Sequence, residues 1–591
     1  MKTLTLKEFI TALNARIDRY THEELKEIIL AQGMALAPRE RALFLDKFVL
    51  QEKKKGKAQV GKKDRNEAEG FLLKEIESFG RRVEEYEFTD GWGWDSRYGD
   101  ERAWGDDSWA AEIDDLFDRV CTIYKNGNHQ TARKAFESLL DIYREGQEEG
   151  KLSGYDHDEM IETNIGEAKL KYLRCVYLTE TSPDRPQAIW SALSRFTDDA
   201  SDLNIHGMIH VDMEELPQLE DFGQRWPEFL KKQEVSSLSA ALVREAVRLF
   251  QGIRGLETLA AEDGLKYPGA FLEWLEALRA TDKYDEMVRA ASLGLERLPA
   301  GLWIRSKIAD YLHEAAIRLN KKALIGRSLK EALMADPCLE RLLNALDYAE
   351  NREERKKILD ENLAFIEVND KKQSRERTWQ YDRQPDFFEK EVPGDLGLQC
   401  RLLSGNYEMA AAAMEKSKPL GWSSGEDPGV LGVPFFLVAK WNPERRLTAN
   451  LAELWNEATD PLTLTDYDIE GDVAEDRPGR RQPEKTAPRF RKYLEAVLKE
   501  MPLRAADKER YSVLAEKIAC NRIVAIVGNK RRKSYWKAAE LLLAVAEVYW
   551  SNDRRNDGQA LIDRVKDKYR RHSAFRDELR TRARKSGIFT V

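Results

Sequence analysis

The sequence predicts an all-α protein: irregular helical hairpins stacked as a solenoid, followed by a basic C-terminal helical domain. Three observations predict it. From Asp106 to Arg144, two amphipathic runs flank the tight turn Lys125-Asn126-Gly127-Asn128. Runs of the same kind recur downstream at irregular intervals. The 591 residues combine 42% hydrophobic with 34% charged residues, a mixture that suits solvated helix faces over buried stripes. A chain of this length exceeds one core and calls for two or three packed units.

The hairpin at Asp106–Arg144 carries the clearest pattern. Leu116, Phe117, Val120, Ile123 and Tyr124 recur at helical spacing in its first half. Ala132, Ala135, Phe136, Leu139 and Tyr143 do so in its second. Ala132 lets two backbones approach, and Phe136 fills the space one turn later. A single hairpin cannot bury both apolar faces, so it needs neighbours of its own kind.

Taken in order, residues 1–90 form an N-terminal helical region. Thr5 with Glu8 and Thr21 with Glu24 are capping boxes, Phe9, Ile10, Leu13 and Ile17 form a stripe, and Pro38 stands at a helix start. Lys53–Lys63 is a basic, glycine-containing loop whose simplest role is a solvated tip. Phe71, Ile76, Phe79, Val83 and Tyr86 give the next helix its stripe.

Residues 91–456 form the helical-repeat region. It opens on a glycine-rich segment with four tryptophans and five acids. One reading is a recognition loop; another is a hard-cation site built from the carboxylates of Asp95, Asp100, Glu101, Asp106 and Asp107, whose spacing fits no calcium loop. The favoured expectation is a loop pinned by Trp92, Trp94, Trp104 and Trp109, with the acids capping the next helix. Further hairpins turn at Asp282-Lys283-Tyr284, at Asn320, at Gly405-Asn406 and, near the C-terminus, at Asn556-Asp557.

These hairpins resemble the tetratricopeptide-repeat class of α-solenoids. Gly127, Ala132 and Phe136 match its turn-glycine, small and aromatic positions. Tyr284, Leu295 and Pro299, then Ala332 and Pro337, match later positions. Most hairpins lack the early tryptophan, and Met287 and Ile325 replace the small residue. The resemblance spans about half the chain. It implies a stacked-helix scaffold and no particular ligand.

Glu367–Leu396 and Glu457–Pro488 resist helix, and Pro419–Leu437 reads as an irregular loop feeding a buried helix. Residues 457–489, rich in Pro, Asp and Gly, are expected to link the repeat region to a basic domain at 490–591. The charge supports that boundary. Residues 481–591 hold 28 Lys/Arg against 14 Asp/Glu, a net of +14, and the remainder holds 68 against 91, a net of −23. Two regions with different partners, or with attraction for one another, are implied.

No catalytic motif emerges, so a non-enzymatic chain without cofactor or metal is expected. Val527-Gly528-Asn529-Lys530 lacks the earlier glycine and the hydroxyl of a phosphate-binding loop and reads as a turn before a helix at Tyr535. His206 and His210, near Asp212, would share a helix face as metal ligands do, but no third ligand or general base accompanies them. Cys121, Cys175, Cys338, Cys400 and Cys520 have no paired spacing and fit a reducing cytoplasm. The N-terminus lacks an apolar signal core, and the longest apolar runs are too short to span a bilayer.

The candidate partner-binding residues are Lys530, Arg531, Arg532, Lys533, Tyr535, Trp536 and Lys537, joined by Arg570 and Arg571. Cations interleaved with aromatics grip phosphates and stack bases, or they meet an acidic protein surface. A protein partner is the first expectation and nucleic acid the second. The outline of two units joined by an exposed segment is similar to that of the helical substrate of the caspase-like protease in type III-E CRISPR systems. That resemblance implies an accessory protein of antiviral defence, cleaved to release a regulator of a sigma factor. It rests on outline alone, with no motif matched residue by residue.

Overall fold

The computed structural model describes residues 62–95, 100–154, 156–196, 203–373, 392–422, 427–460 and 483–591. The expected capping boxes, Pro38 and all but the last two residues of the Lys53–Lys63 loop lie outside these residues. So do 374–391 and 461–482, within the two stretches expected to resist helix. The described chain holds 24 helices and one two-stranded β-ribbon. It divides into two compact units: the residues up to Ile123 with Asp141–His157, and Tyr124–Leu140 with Asp158–Val591.

In the first unit, helix α1 (Lys62–Glu84) buries Leu72, Ile76, Phe79 and Val83. The expected stripe began at Phe71, which is exposed. Leu72 lies one turn from Ile76 at helical spacing and Phe71 does not, so Leu72 takes the first place in a stripe that Ile76, Phe79 and Val83 continue as expected. Tyr86 is exposed too, with φ of 58° just beyond the helix. The tryptophan-rich segment is a ribbon and not the expected pinned loop. Gly91–Asp95 (β1) and Asp100–Trp104 (β2) pair antiparallel, with Trp92 opposite Ala103 and Trp94 opposite Glu101. The alternation Gly-Trp-Gly-Trp has the period of a strand. Trp109 alone of the four tryptophans is fully buried, and its indole Nε1 donates to the Ser153 carbonyl at 3.1 Å. Asp106 accepts from the Ser108 backbone N–H at 2.9 Å at the start of α2 (Ser108–Lys125), as the capping expectation required.

Helix α3 (His129–Glu148) comes after the expected turn. Gly127 takes φ of +82° there, a conformation that side chains with a Cβ resist. Ala132, Ala135, Phe136 and Leu139 are all completely buried.

The second unit continues through α4 (His157–Met160), α5 (Ile165–Thr179), α6 (Arg185–Arg195), α7 (Ile205–His210), α8 (Leu219–Leu230) and α9 (Ser237–Asp263). Next come α10 (Gly269–Arg279), α11 (Tyr284–Arg297), α12 (Ile304–Arg318), α13 (Lys322–Ala335) and α14 (Leu339–Tyr348). From α8 to α14 each helix packs on the next, and α10 also reaches α12. After α15 (Arg352–Gln373) come α16 (Leu396–Leu403), α17 (Tyr407–Met414), α18 (Gly429–Lys440) and α19 (Ala449–Ala458). The last five helices are α20 (Pro483–Glu500), α21 (Ala505–Gly528), α22 (Tyr535–Ser551), α23 (Arg555–Lys568) and α24 (Ser573–Ser586). Here packing turns long-range: α18 meets α21, α19 meets α22, and α20 meets both α14 and α16. Helix α22 is buried from Ala538 to Val548, the carboxylates Glu540 and Glu547 included, and touches α18, α19, α21, α23 and α24. Helices on both sides of the expected 457–489 linker contribute to one hydrophobic cluster.

Five hairpin turns share one device. Asp282, Asn320, Gly405, Lys530 and Asp553 have φ between 54° and 71°. In each, the next N–H bonds back to a carbonyl five residues earlier: Lys283 to Leu278, Lys321 to Ala316, Asn406 to Arg401, Arg531 to Ile526 and Arg554 to Tyr549. These are Schellman caps, which satisfy orphan carbonyls and reverse the chain.

Candidate functional site

Two of the tight turns bring the sequence-predicted cations together. The first joins α21 to α22: Lys530 reverses the chain, Arg532–Ser534 makes a single 3₁₀ turn, and α22 starts at Tyr535. This is the turn expected in place of a phosphate-binding loop. The second joins α23 to α24, where the His572 N–H bonds the Tyr569 carbonyl at 2.9 Å. An aromatic cluster clamps the two turns side by side. Tyr535 lies edge-on to Phe575 with ring centroids 5.9 Å apart, and its centroid is 6.4 Å from that of His572. Tyr569 packs against the same two rings at 6.2 and 5.4 Å. A Cβ on Gly528 would stand 3.7 Å from the Tyr569 hydroxyl, which places the end of α21 against the second turn.

Lys530, Arg531, Arg532, Lys533, Arg570 and Arg571 are all exposed at this end of the bundle. None of the six is ion-paired to a described residue. The rest of the basic region behaves differently. Arg582 pairs with Glu540 and Glu453, Lys585 with Glu453, Arg489 with Asp347 and Arg580 with Asp577. Part of the C-terminal positive charge is therefore neutralised within the chain, and the six cations of the pole are not matched by any described carboxylate.

The predicted aromatics are placed otherwise than a stacking platform requires. Tyr535 is 2% exposed and belongs to the core. Trp536 is half-buried, with the Arg582 guanidinium 5.3 Å and the Lys537 ammonium 5.2 Å from its ring. Lys537 is itself half-buried. Burial gives Tyr535 a core role and leaves Trp536 partly covered.

Below Trp536, burial pushes the Glu540 carboxyl up to about 7, with Arg582 pulling it down. Glu547, also on α22, is fully buried. It accepts from the Leu451 backbone N–H at 3.1 Å, from Asn450 at 2.7 Å and from the Thr448 hydroxyl, and so closes the N-terminus of α19. Burial raises its carboxyl above the ordinary value while these donors oppose the shift.

The remaining sequence candidates stand elsewhere. His206 and His210 lie together on α7 with ring centroids 4.4 Å apart, and Asp212 accepts from the Tyr124 hydroxyl at 3.0 Å. Among the described residues, no three His, Cys, Asp or Glu side chains are grouped to hold a metal ion. None of the five cysteines is joined to another in a disulfide. No helix among the described residues is long and apolar enough to cross a membrane.

Sequence reasoning missed a groove of about 850 Å³ between α12, α13 and α14. Arg341 grips Asp310 there with two bonds of 2.7 and 3.0 Å and reaches Asp336 at 3.0 Å, while His313 meets the Ser328 hydroxyl at 3.2 Å. Its lining comes from three helices, so no local motif could have announced it. Comparison with known proteins gives no family: no protein-family model matches the chain, and a search of curated proteins finds no relative.

Proposed function

We propose that this chain is a non-enzymatic protein-binding scaffold or regulator of a bacterial-type cytoplasm. In this reading its tetratricopeptide-like hairpins stack as a solenoid and its basic pole engages an acidic surface on a protein partner. Stepwise packing from α8 to α14 and the shared Schellman turns support the repeat reading. One observation carries the partner reading. Lys530 occupies a left-handed turn position that glycine, asparagine or aspartate fills in the sister turns. Backbone preference disfavours lysine there, and such strain collects at functional sites. The pole's other five cations surround this residue in two adjacent turns. Burial of Tyr535 and partial covering of Trp536 favour a protein surface over nucleic acid, since base stacking needs open rings.

Because α20–α24 share a core with 392–460, the test uses the full chain. The parent and the reversal Arg531→Glu, Arg532→Glu, Lys533→Glu are compared in three assays: pull-down from native-host lysate, binding to mixed single-stranded DNA and RNA, and urea denaturation. Capture of an acidic protein by the parent alone, with equal urea midpoints, is expected. Tight nucleic-acid binding without a protein partner replaces this reading with a nucleic-acid one. Equal capture by both chains leaves the pole a merely solvated face.

A further inference from the structure

The ribbon in the first unit exposes what soluble proteins usually cover. Trp92 is 61% and Trp94 64% exposed, two residues apart on β1 and so on one face of it. Trp92 is held in place: a Cβ on Gly150, whose φ is +61°, would come within 2.1 Å of the indole, so the ring lies directly on bare backbone. On the ribbon's other face Trp104, 38% exposed, shows the same chemistry, with the Arg102 guanidinium 4.5 Å from its ring. No described cation lies over Trp92 or Trp94 in the same way. The edge matters as well. β2 makes a further bridge from Ala103 to Gly154, whereas the outer edge of β1 pairs with no described residue. Glu85, Glu87 and Asp90, just ahead of β1, are exposed and ion-paired to no described residue. Over residues 85–107 the sequence holds eight acids against two arginines.

We propose that β1 is a docking edge for an extended, lysine- or arginine-bearing peptide. The peptide adds as a third strand along Gly91–Asp95, its main chain satisfying the open edge. Its cationic side chains settle over the faces of Trp92 and Trp94, where ring quadrupoles attract positive charge. Glu85, Glu87 and Asp90 just ahead of β1 select against anionic peptides and speed encounter with cationic ones. This surface belongs to the first unit and the basic pole to the second. It selects the opposite charge and does not depend on the pole.

The test is fluorescence anisotropy of a labelled eight-residue peptide alternating lysine and threonine, titrated with the full chain. A glutamate–threonine peptide, a glutamine–threonine peptide and a backbone N-methylated lysine–threonine peptide serve as comparisons. Saturable binding of the lysine peptide is expected, lost on N-methylation and weakened by salt. Trp94→Ala should weaken it about tenfold, the equivalent of one cation–ring contact, with the melting temperature unchanged. Trp92→Ala, Trp94→Ala together should abolish it. Failure of the lysine peptide to bind the parent overturns the proposal. So does binding that ignores both tryptophans or N-methylation, or that is equalled by the glutamine or glutamate peptide.

Discussion

Phe136 is fully buried, and its ring meets that of Tyr124 edge-on with centroids 6.4 Å apart. Phe136→Ala should therefore cost about 3–5 kcal/mol in chemical denaturation; a near-neutral result would remove this ring from the core. Gly127 isolates a different effect. A Cβ there meets nothing within 4 Å, so Gly127→Val tests the left-handed backbone alone and should cost about 1–2 kcal/mol. Lys530→Gly runs the other way, gaining about 0.5–1 kcal/mol while weakening partner capture. Glu540 gives a pH signature. Its carboxyl faces Arg582, Glu453 and Glu457 and sits near 7, against 4.5 for an ordinary glutamate. The fold takes up a proton in that interval, so its contribution is present at low pH and lost as pH rises through about 7. Unfolding free energy should fall by up to about 3 kcal/mol between pH 5 and 8, and Glu540→Gln should flatten that slope. An unchanged slope would place the titration on another group. Phe136 and Gly127 were legible because helical spacing and turn chemistry are local. Glu540 was not, because its burial depends on a partner in α24.

Among elements, the hairpins were the legible ones. α10–α11, α12–α13 and α16–α17 stand where apolar periodicity broke at Asp, Asn or Gly, whereas α22–α23 turns at Asp553 and the expected turn residues Asn556 and Asp557 lie inside α23. The β-ribbon was not. Its strands are five residues each, too short for alternation to outweigh the glycines that also mark loops. The cap on α19 was hidden for another reason: Glu547 and Asn450 lie 97 residues apart in sequence. Glu547→Ala would take the acceptor from the buried Leu451 N–H and leave the Asn450 amide the Arg582 carbonyl at 3.3 Å. It should lower stability by about 1–3 kcal/mol in urea denaturation. A variant melting like the parent would show that water replaces the carboxylate.

At the scale of the whole molecule, the uneven charge of the sequence resolves into two parts. Arg489, Arg582 and Lys585 spend theirs on Asp347, Glu540 and Glu453, while the pole keeps six cations open. Only the total was visible beforehand, because pairing depends on which helices meet. Association of the full chain with the proposed acidic partner should slow steeply with salt, as the screening length falls from about 10 Å at 0.1 M to about 3 Å at 1 M. The triple reversal at Arg531, Arg532 and Lys533 should abolish that slope while changing the urea midpoint little. Stopped-flow rates across a salt series measure it; equal slopes would mean that the pole takes no part in encounter.

The closure of α19 by α22 also carries a message about synthesis. Leu451 leaves the ribosome well before Glu547 has been made. At rates of ~5–20 residues per second, roughly 5–20 s pass before its cap exists. During that interval Phe435, Phe436 and Trp455, whose cover includes α21 and α22, are apolar surface on a nascent chain. The C-terminal core thus forms late and all together, and a chain released before α22 emerges is a substrate for chaperones and proteases.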